Sequence, residues 1–207
     1  MPYLRGEKLC TDLPKSRSFM LFFNGHPSAL SYDGRDYDFT HLHPTNIVFN
    51  LLGGVQIAGE CRFRSHCYTR ELDAGESAKG LIRIDDENGN ERYFCPERHQ
   101  LSLKLGGWMA TWCDQKCIQG KHYQHGIENW LIVEDDSGVK VKVAFSIDKH
   151  ETLALGVMMW IKTTHPYDRS RPDEATRDNS IPFNTLAKTV AHTGKQPKIA
   201  KARGGRR

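Results

Sequence analysis

The chain has no apolar run approaching the length of a membrane span, and Met1 to Cys10 carries no hydrophobic stretch of the secretory type, so a cytoplasmic address with no membrane partner is the expectation. Neither Gly53-Gly54 nor Gly106-Gly107 is followed by Lys-Ser/Thr, which excludes a phosphate-cradling P-loop. The absence of Gly-x-Ser-x-Gly removes the hydrolase elbow. There is no Cys-x-x-Cys pair of the kind zinc fingers carry. The adjacent carboxylates Asp85-Asp86 and Asp135-Asp136 sit beside turn residues and read as turn chemistry. Repeats are absent as well.

What remains is a 207-residue chain of ordinary globular composition, 38% hydrophobic and 26% charged, long enough to bury a real core. Its net charge of +4 is unevenly placed. Lys195, Lys198, Lys201, Arg203, Arg206 and Arg207 form an acid-free tail, and subtracting those six from +4 leaves the rest at about −2. A basic tail on a near-neutral body adds sequence-independent affinity for nucleic acid. The six cysteines, without an export signal, read as free thiols or metal ligands rather than a disulfide framework.

The hydrophobic pattern predicts an α+β fold, mainly antiparallel sheet with one principal helix. Asp33-Gly34 and Asn88-Gly89 mark hairpins, and Gly53-Gly54 separates an apolar run at 46–52 from a strand at 55–70. Leu101, Leu105, Trp108, Met109 and Trp112 recur at helical spacing, which places the helix over about 97–114, with Pro96 in its first turn. Gly106-Gly107 inside it costs about 1 kcal/mol per residue and predicts a kink or a close approach to the sheet. Strands at 130–134, 139–147 and 153–161 form a C-terminal meander, the last buried on both faces. Residues 1–168 read as one domain; 169–207 read as a polar linker, a short helix with Phe183, Leu186 and Val190 on its apolar face, and the basic tail.

As a continuous strand, residues 61–70 would carry Arg62, Arg64, His66, Tyr68 and Arg70 on one face and Cys61, Phe63, Ser65, Cys67 and Thr69 on the other. Fork-shaped cations beside an aromatic ring suit a phosphodiester backbone and its bases. Lys140 and Lys142, alternating with valines on the central meander strand, extend the list of candidate backbone contacts.

Two chemistries compete for the remaining candidates. Cys113 and Cys117, four apart on the expected helix, would point the same way, with His122 or His125 just beyond its end, a soft donor set suited to tetrahedral zinc. Metal-free cleavage of RNA instead needs a base, an acid and cations for the growing phosphate charge. Histidines fill the first two roles, and His66, His99, His150 and His165 are the candidates, with Tyr167 beside the last.

The Leu101–Trp112 stripe, the three meander strands and the exit Thr163-Thr164-His165-Pro166-Tyr167 together resemble the barnase–EndoU–colicin–RelE class of metal-independent ribonucleases over residues 96–168. That resemblance implies an RNA-cleaving protein of toxin or defence type, with the exit segment at the edge of the active site. The residues themselves leave two other readings open: a non-catalytic RNA- or DNA-binding subunit of a ribonucleoprotein or a mobile-element-encoded inhibitor, and a small zinc-stabilised module for protein interaction.

Overall fold

Turn chemistry organises the first stretch of chain. Asp33 (φ 50°) and Gly34 (φ 70°) both adopt left-handed backbone, the two-residue turn whose twist matches a hairpin. They join β2 (His26–Tyr32) to β3 (Arg35–Asp38), and β1 (Leu21–Phe23) adds to β2 in an antiparallel three-stranded sheet. The computed structural model describes residues 21–23, 26–122, 126–167 and 180–197. It divides into two units, Met1–Thr40 and His41–Arg207, of which the second carries most of the described elements.

In the second unit, β4 (Thr45–Asn50) turns through Gly53-Gly54 into β5 (Gln56–Phe63). The strand predicted over 55–70 stops at Phe63. A 3-10 turn at Ser65–Cys67 follows, then β6 (Thr69–Arg70), paired with β7 (Tyr93–Phe94). Between β6 and β7 lies the Asn88-Gly89 hairpin, held by the Ile84 amide on the Arg92 carbonyl and the Asp86 amide on the Asn90 carbonyl.

The principal helix expected over 97–114 is broken. It forms α1 (Pro96–Leu103), α2 (Leu105–Met109) and a 3-10 turn at Trp112–Asp114, with the break at Lys104. Pro96 stands in the first turn of α1, as its missing N–H allows. Leu101, Leu105, Met109 and Trp112 are buried, so the stripe faces the core across all three pieces. Gly106 and Gly107 approach nothing: a Cβ on either would meet open space.

The meander follows as β9 (Gly126–Glu134), β10 (Lys140–Lys149) and β11 (Gly156–Pro166), preceded by β8 (Lys116–His122). Leu153 and Leu155 lie in the turn before β11 and are exposed, so this strand starts later and runs further than its apolar run predicts. β11 pairs antiparallel with β10 and parallel with β5. With β12 (Ser180–Pro182) on β8, the result is a seven-stranded sheet in the order β12-β8-β9-β10-β11-β5-β4.

One face of this sheet is covered. Phe49, Ile57, Cys61, Phe63, Val143, Phe145, Ile147, Val157, Met159 and Ile161 are buried, and α3 (Phe183–Thr193) packs across β5, β10 and β11. Phe183 lies edge-on to Phe49 (ring centroids 4.9 Å) and Trp112 (5.6 Å), and Trp112 stacks on Phe145 (5.2 Å). Residues 180–193 are therefore part of the fold: β12 extends the sheet and α3 closes its core. The mixed α+β architecture, mostly antiparallel, is as the pattern predicts.

Candidate functional site

The other face of the sheet carries Asn46 and Val48 on β4, Glu60 and Arg62 on β5, Met158 and Trp160 on β11, Lys142 and Ser146 on β10, and Glu128, Trp130 and Ile132 on β9. The register puts these side chains on one side, because directly paired residues share a face. No described helix lies over it. Trp160 is half-buried, and the guanidinium of Arg64 sits over its ring at 4.5 Å, with that of Arg62 at 5.4 Å. On β9, Trp130 is covered by the Lys142 ammonium at 4.7 Å and by Gly120 of β8.

A continuous polar track runs past Trp160. From the β10–β11 turn, His150 Nε2 reaches Glu60 at 3.8 Å, and Glu60 accepts from Arg62 Nε at 2.5 Å. Arg64 then pairs with Glu87 at 3.8 Å, and Glu87 also accepts from the Ser65 amide at 2.8 Å. Each arginine on this face thus has a carboxylate within reach. These are exchangeable pairs at half-exposed positions, each worth well under about 1 kcal/mol.

Beside the track, the 3-10 turn presents His66. Its Nε2 lies 3.3 Å from Asp86 Oδ2, and its carbonyl accepts from Arg98 on α1 and from the Thr163 hydroxyl. Burial and the nearby Arg92 guanidinium hold the His66 pKa below its usual value, against the opposing pull of Asp86. Burial alone would raise the Asp86 pKa, but hydrogen bonds from the Asn90 side chain, the Asn90 and Asn88 amides and His66 hold it well below the ordinary range. Arg92 is buried and clasps Thr69 and Glu71. Arg98 donates to the carbonyls of His66 and Thr69 and to Thr163, which ties α1, the turn and β11 together.

Several sequence candidates land elsewhere. Tyr68 is fully buried rather than on the basic face, because the 3-10 turn after Phe63 shifts the alternation. Cys67 faces inward as expected, and burial pushes its thiol up to about 12. Arg70 forms a two-pronged ion pair with Glu76, away from Trp160. Lys140 is exposed at the start of β10, while Lys142 is buried under its own stacking contact. Lys195 is described just past α3; Lys198, Lys201, Arg203, Arg206 and Arg207 lie outside the described residues.

His99 is 2% exposed, ringed by His41 and Phe94, and has no route to a substrate. His165 places Nδ1 2.9 Å from the Pro166 carbonyl, and the Tyr167 amide closes onto Lys140. The four histidines do not converge on one spot: His66 is in the 3-10 turn, His99 in the core, His150 in a strand-to-strand turn and His165 at the end of β11.

The two cysteines of the zinc set do not share the expected helix. Cys113 sits in the 3-10 turn, while Cys117 sits in β8 with its thiol donating to the Ile181 carbonyl, so the two are not on one helix. Burial pushes the Cys117 thiol up to about 12. The side chain of His122 and all of His125 lie outside the described residues, and among the described residues no three His, Cys, Asp or Glu side chains group as a metal site.

Trp160, Glu60, Glu87 and Asp86 are absent from the sequence-level candidates. The only signal for Trp160 is its place in the apolar run at 157–161, read as buried on both faces; the structure leaves Met158 and Trp160 half-buried between buried neighbours. No such signal exists for Asp86 and Glu87, which reach the site only through the fold of the Asn88-Gly89 hairpin.

These elements define an α+β protein with a mixed seven-stranded sheet, helices on one face and an aromatic, cation-bearing face opposite. Within that class, the family model of the YjaZ family matches residues 29–191, from within β2 through most of α3, and the chain belongs to that family. No curated protein and no solved structure shows significant similarity to it. Among the described residues no helix is long and apolar enough to cross a membrane.

Proposed function

We propose that the chain is a non-catalytic nucleic-acid-binding module that takes single-stranded RNA on the open face of its large sheet. The observation that supports this most is Trp160, half-exposed mid-sheet with Arg62 and Arg64 against its ring. Open sheets bind single strands by stacking bases on aromatic rings while cations take the backbone. A phosphate entering here would exchange for Glu60 and Glu87, drawing Arg62 and Arg64 off the Trp160 ring and uncovering it for a base. The basic tail adds charge without sequence preference.

The test is binding of a single-stranded RNA by fluorescence anisotropy. Trp160→Ala removes a stacking platform worth about 1–3 kcal/mol per base, so affinity should fall roughly tenfold to a hundredfold. Unchanged affinity, with the fold intact by circular dichroism, refutes the reading.

One observation favours ribonuclease activity as a second reading. His66 is held by Asp86, is 36% exposed at its side chain and has a lowered pKa, as a neutral general base requires. Incubating RNA with the wild type and with His66→Ala separates the two: cleavage that disappears in the variant makes the chain an enzyme, and intact RNA with equal affinity supports the binder.

A further inference from the structure

β4 is the outer strand of the large sheet, and among the described residues no strand pairs with its free side. Edge strands usually carry a charge, a proline or a bulge that discourages pairing. The segment Thr45-Asn46-Ile47-Val48-Phe49-Asn50 has none of these, and Val48 is 57% exposed. Beneath this edge is a hollow of about 470 Å³, lined on the strand side by Thr45, Ile47 and Phe49 and on the other by Gly106, Met109 and Cys113. The hollow leaves space on the inner side of this edge for further apolar side chains.

The hydrogen-bond phase of β4 is fixed at its turn. The Leu51 amide donates to Val55 at 2.8 Å, so Leu51 and every second residue before it aim their backbone groups at β5. Asn46, Val48 and Asn50 consequently aim theirs at the open side. Asn50 is already served there, its amide bonding the Cys113 sulfur. The groups left over are the N–H and C=O of Asn46 and Val48, within the strand, and the C=O of Asn50 at its end.

We infer that this edge pairs with β4 of a second copy of the chain, antiparallel and centred on Ile47. In that register Asn46 lies opposite Val48 of the partner subunit, and their outward groups satisfy one another on both sides of the axis. Ile47 meets its own copy in a non-hydrogen-bonded pair, where side chains approach most closely, directly over the hollow. Thr45 faces the partner's Phe49 on the same inner side. Along the paired strands no charge is brought opposite a like charge, the nearest being the Asp114 that each copy contributes to the rim of the hollow, and no group already bonded to β5 or Cys113 is taken. Gly106, whose Cβ would meet nothing within 4 Å among the described residues, leaves the far wall of the hollow open to the incoming strand. The twofold axis stands perpendicular to the sheet, so two seven-stranded sheets become one and both Trp160 faces look the same way. The contact is small for a protein interface, and its dissociation constant belongs in the micromolar range.

Sedimentation velocity of the full chain across that concentration range tests this. The expected result is a monomer–dimer equilibrium that Val48→Pro abolishes: proline deletes an N–H that β5 never used, so the monomer's ladder survives while the dimer loses bonds on both sides of its axis. Mild oxidation of Ile47→Cys should yield an intermolecular disulfide, since its two copies stand about 4.5 Å apart at Cα. Val48→Cys and the unsubstituted chain should not. A chain that stays monomeric throughout overturns the inference, as does a dimer unaffected by Val48→Pro or cross-linked equally at both positions. A monomer that instead captures extended peptides at this edge assigns it to a foreign strand and overturns it too.

Discussion

Gly120 shows how tightly the open face is built where it is not meant to move. A Cβ at this position would stand 2.3 Å from the Trp130 ring, itself pinned beneath Lys142. Gly120→Ala must push that ring aside, at a cost of about 1–3 kcal/mol, and chemical denaturation should show it; a neutral substitution would mean that Trp130 is free to swing out. At His66 the question is charge. Its folded pKa lies below the unfolded value of about 6.5, so the folded chain binds fewer protons than the unfolded one in mildly acidic solution. The stability this group contributes is present above that value and is lost as the pH falls through it towards the folded pKa. Asp86 opposes the shift, so Asp86→Asn should lower the His66 pKa further. An imidazole titration followed by NMR checks this, and an unchanged or raised midpoint would mean that the 3.3 Å contact carries no electrostatic weight.

At the scale of elements, the broken helix is the least settled piece. Gly107 lies in α2 with nothing within 4 Å of where its Cβ would go. Gly107→Ala should therefore raise stability by about 0.5–1 kcal/mol by restricting the unfolded chain, seen as a higher melting temperature; a lower one would show that the glycine serves a contact made outside the monomer. The elements legible from sequence are those fixed by local chemistry: the Asp33-Gly34 turn, the Gly53-Gly54 and Asn88-Gly89 hairpins, Pro96 at the start of α1, the valine alternation of β10 and the Phe183–Leu186–Val190 face of α3. What stayed hidden depends on distant partners. The parallel pairing of β11 with β5 joins segments about a hundred residues apart, and no periodicity encodes it. The turn at Ser65–Cys67 is stabilised by Glu87 and by contacts with Arg98 and Thr163, so a run that alternates convincingly as sequence stops being a strand at Phe63 and buries Tyr68. An amphipathic α3 announces that it packs, but Trp112, Phe145 and Phe49 as its partners emerge only from the assembled sheet.

At the scale of the whole molecule, charge decides how any nucleic acid would be held. The body is close to neutral, and Arg62, Arg64 and Arg70 each have a carboxylate in contact, so the sheet face exerts little long-range pull. The tail from Lys195 onward has six cations and no acid. Two separable contributions follow from the proposed binding reading. Deleting residues 198–207 should weaken binding to all sequences alike and flatten the dependence of log affinity on log salt, by roughly 0.7 of a unit for each single-strand phosphate that the tail no longer neutralises. Arg62→Ala with Arg64→Ala should cost affinity with a smaller change of slope, because each phosphate gained there displaces a carboxylate already in place. Measuring the salt dependence of binding for both variants and the wild type distinguishes them. If the tail deletion leaves affinity and slope untouched, the electrostatic part of the reading fails, and a face of stacked tryptophan and paired arginines is then better matched to a protein surface than to a phosphodiester backbone.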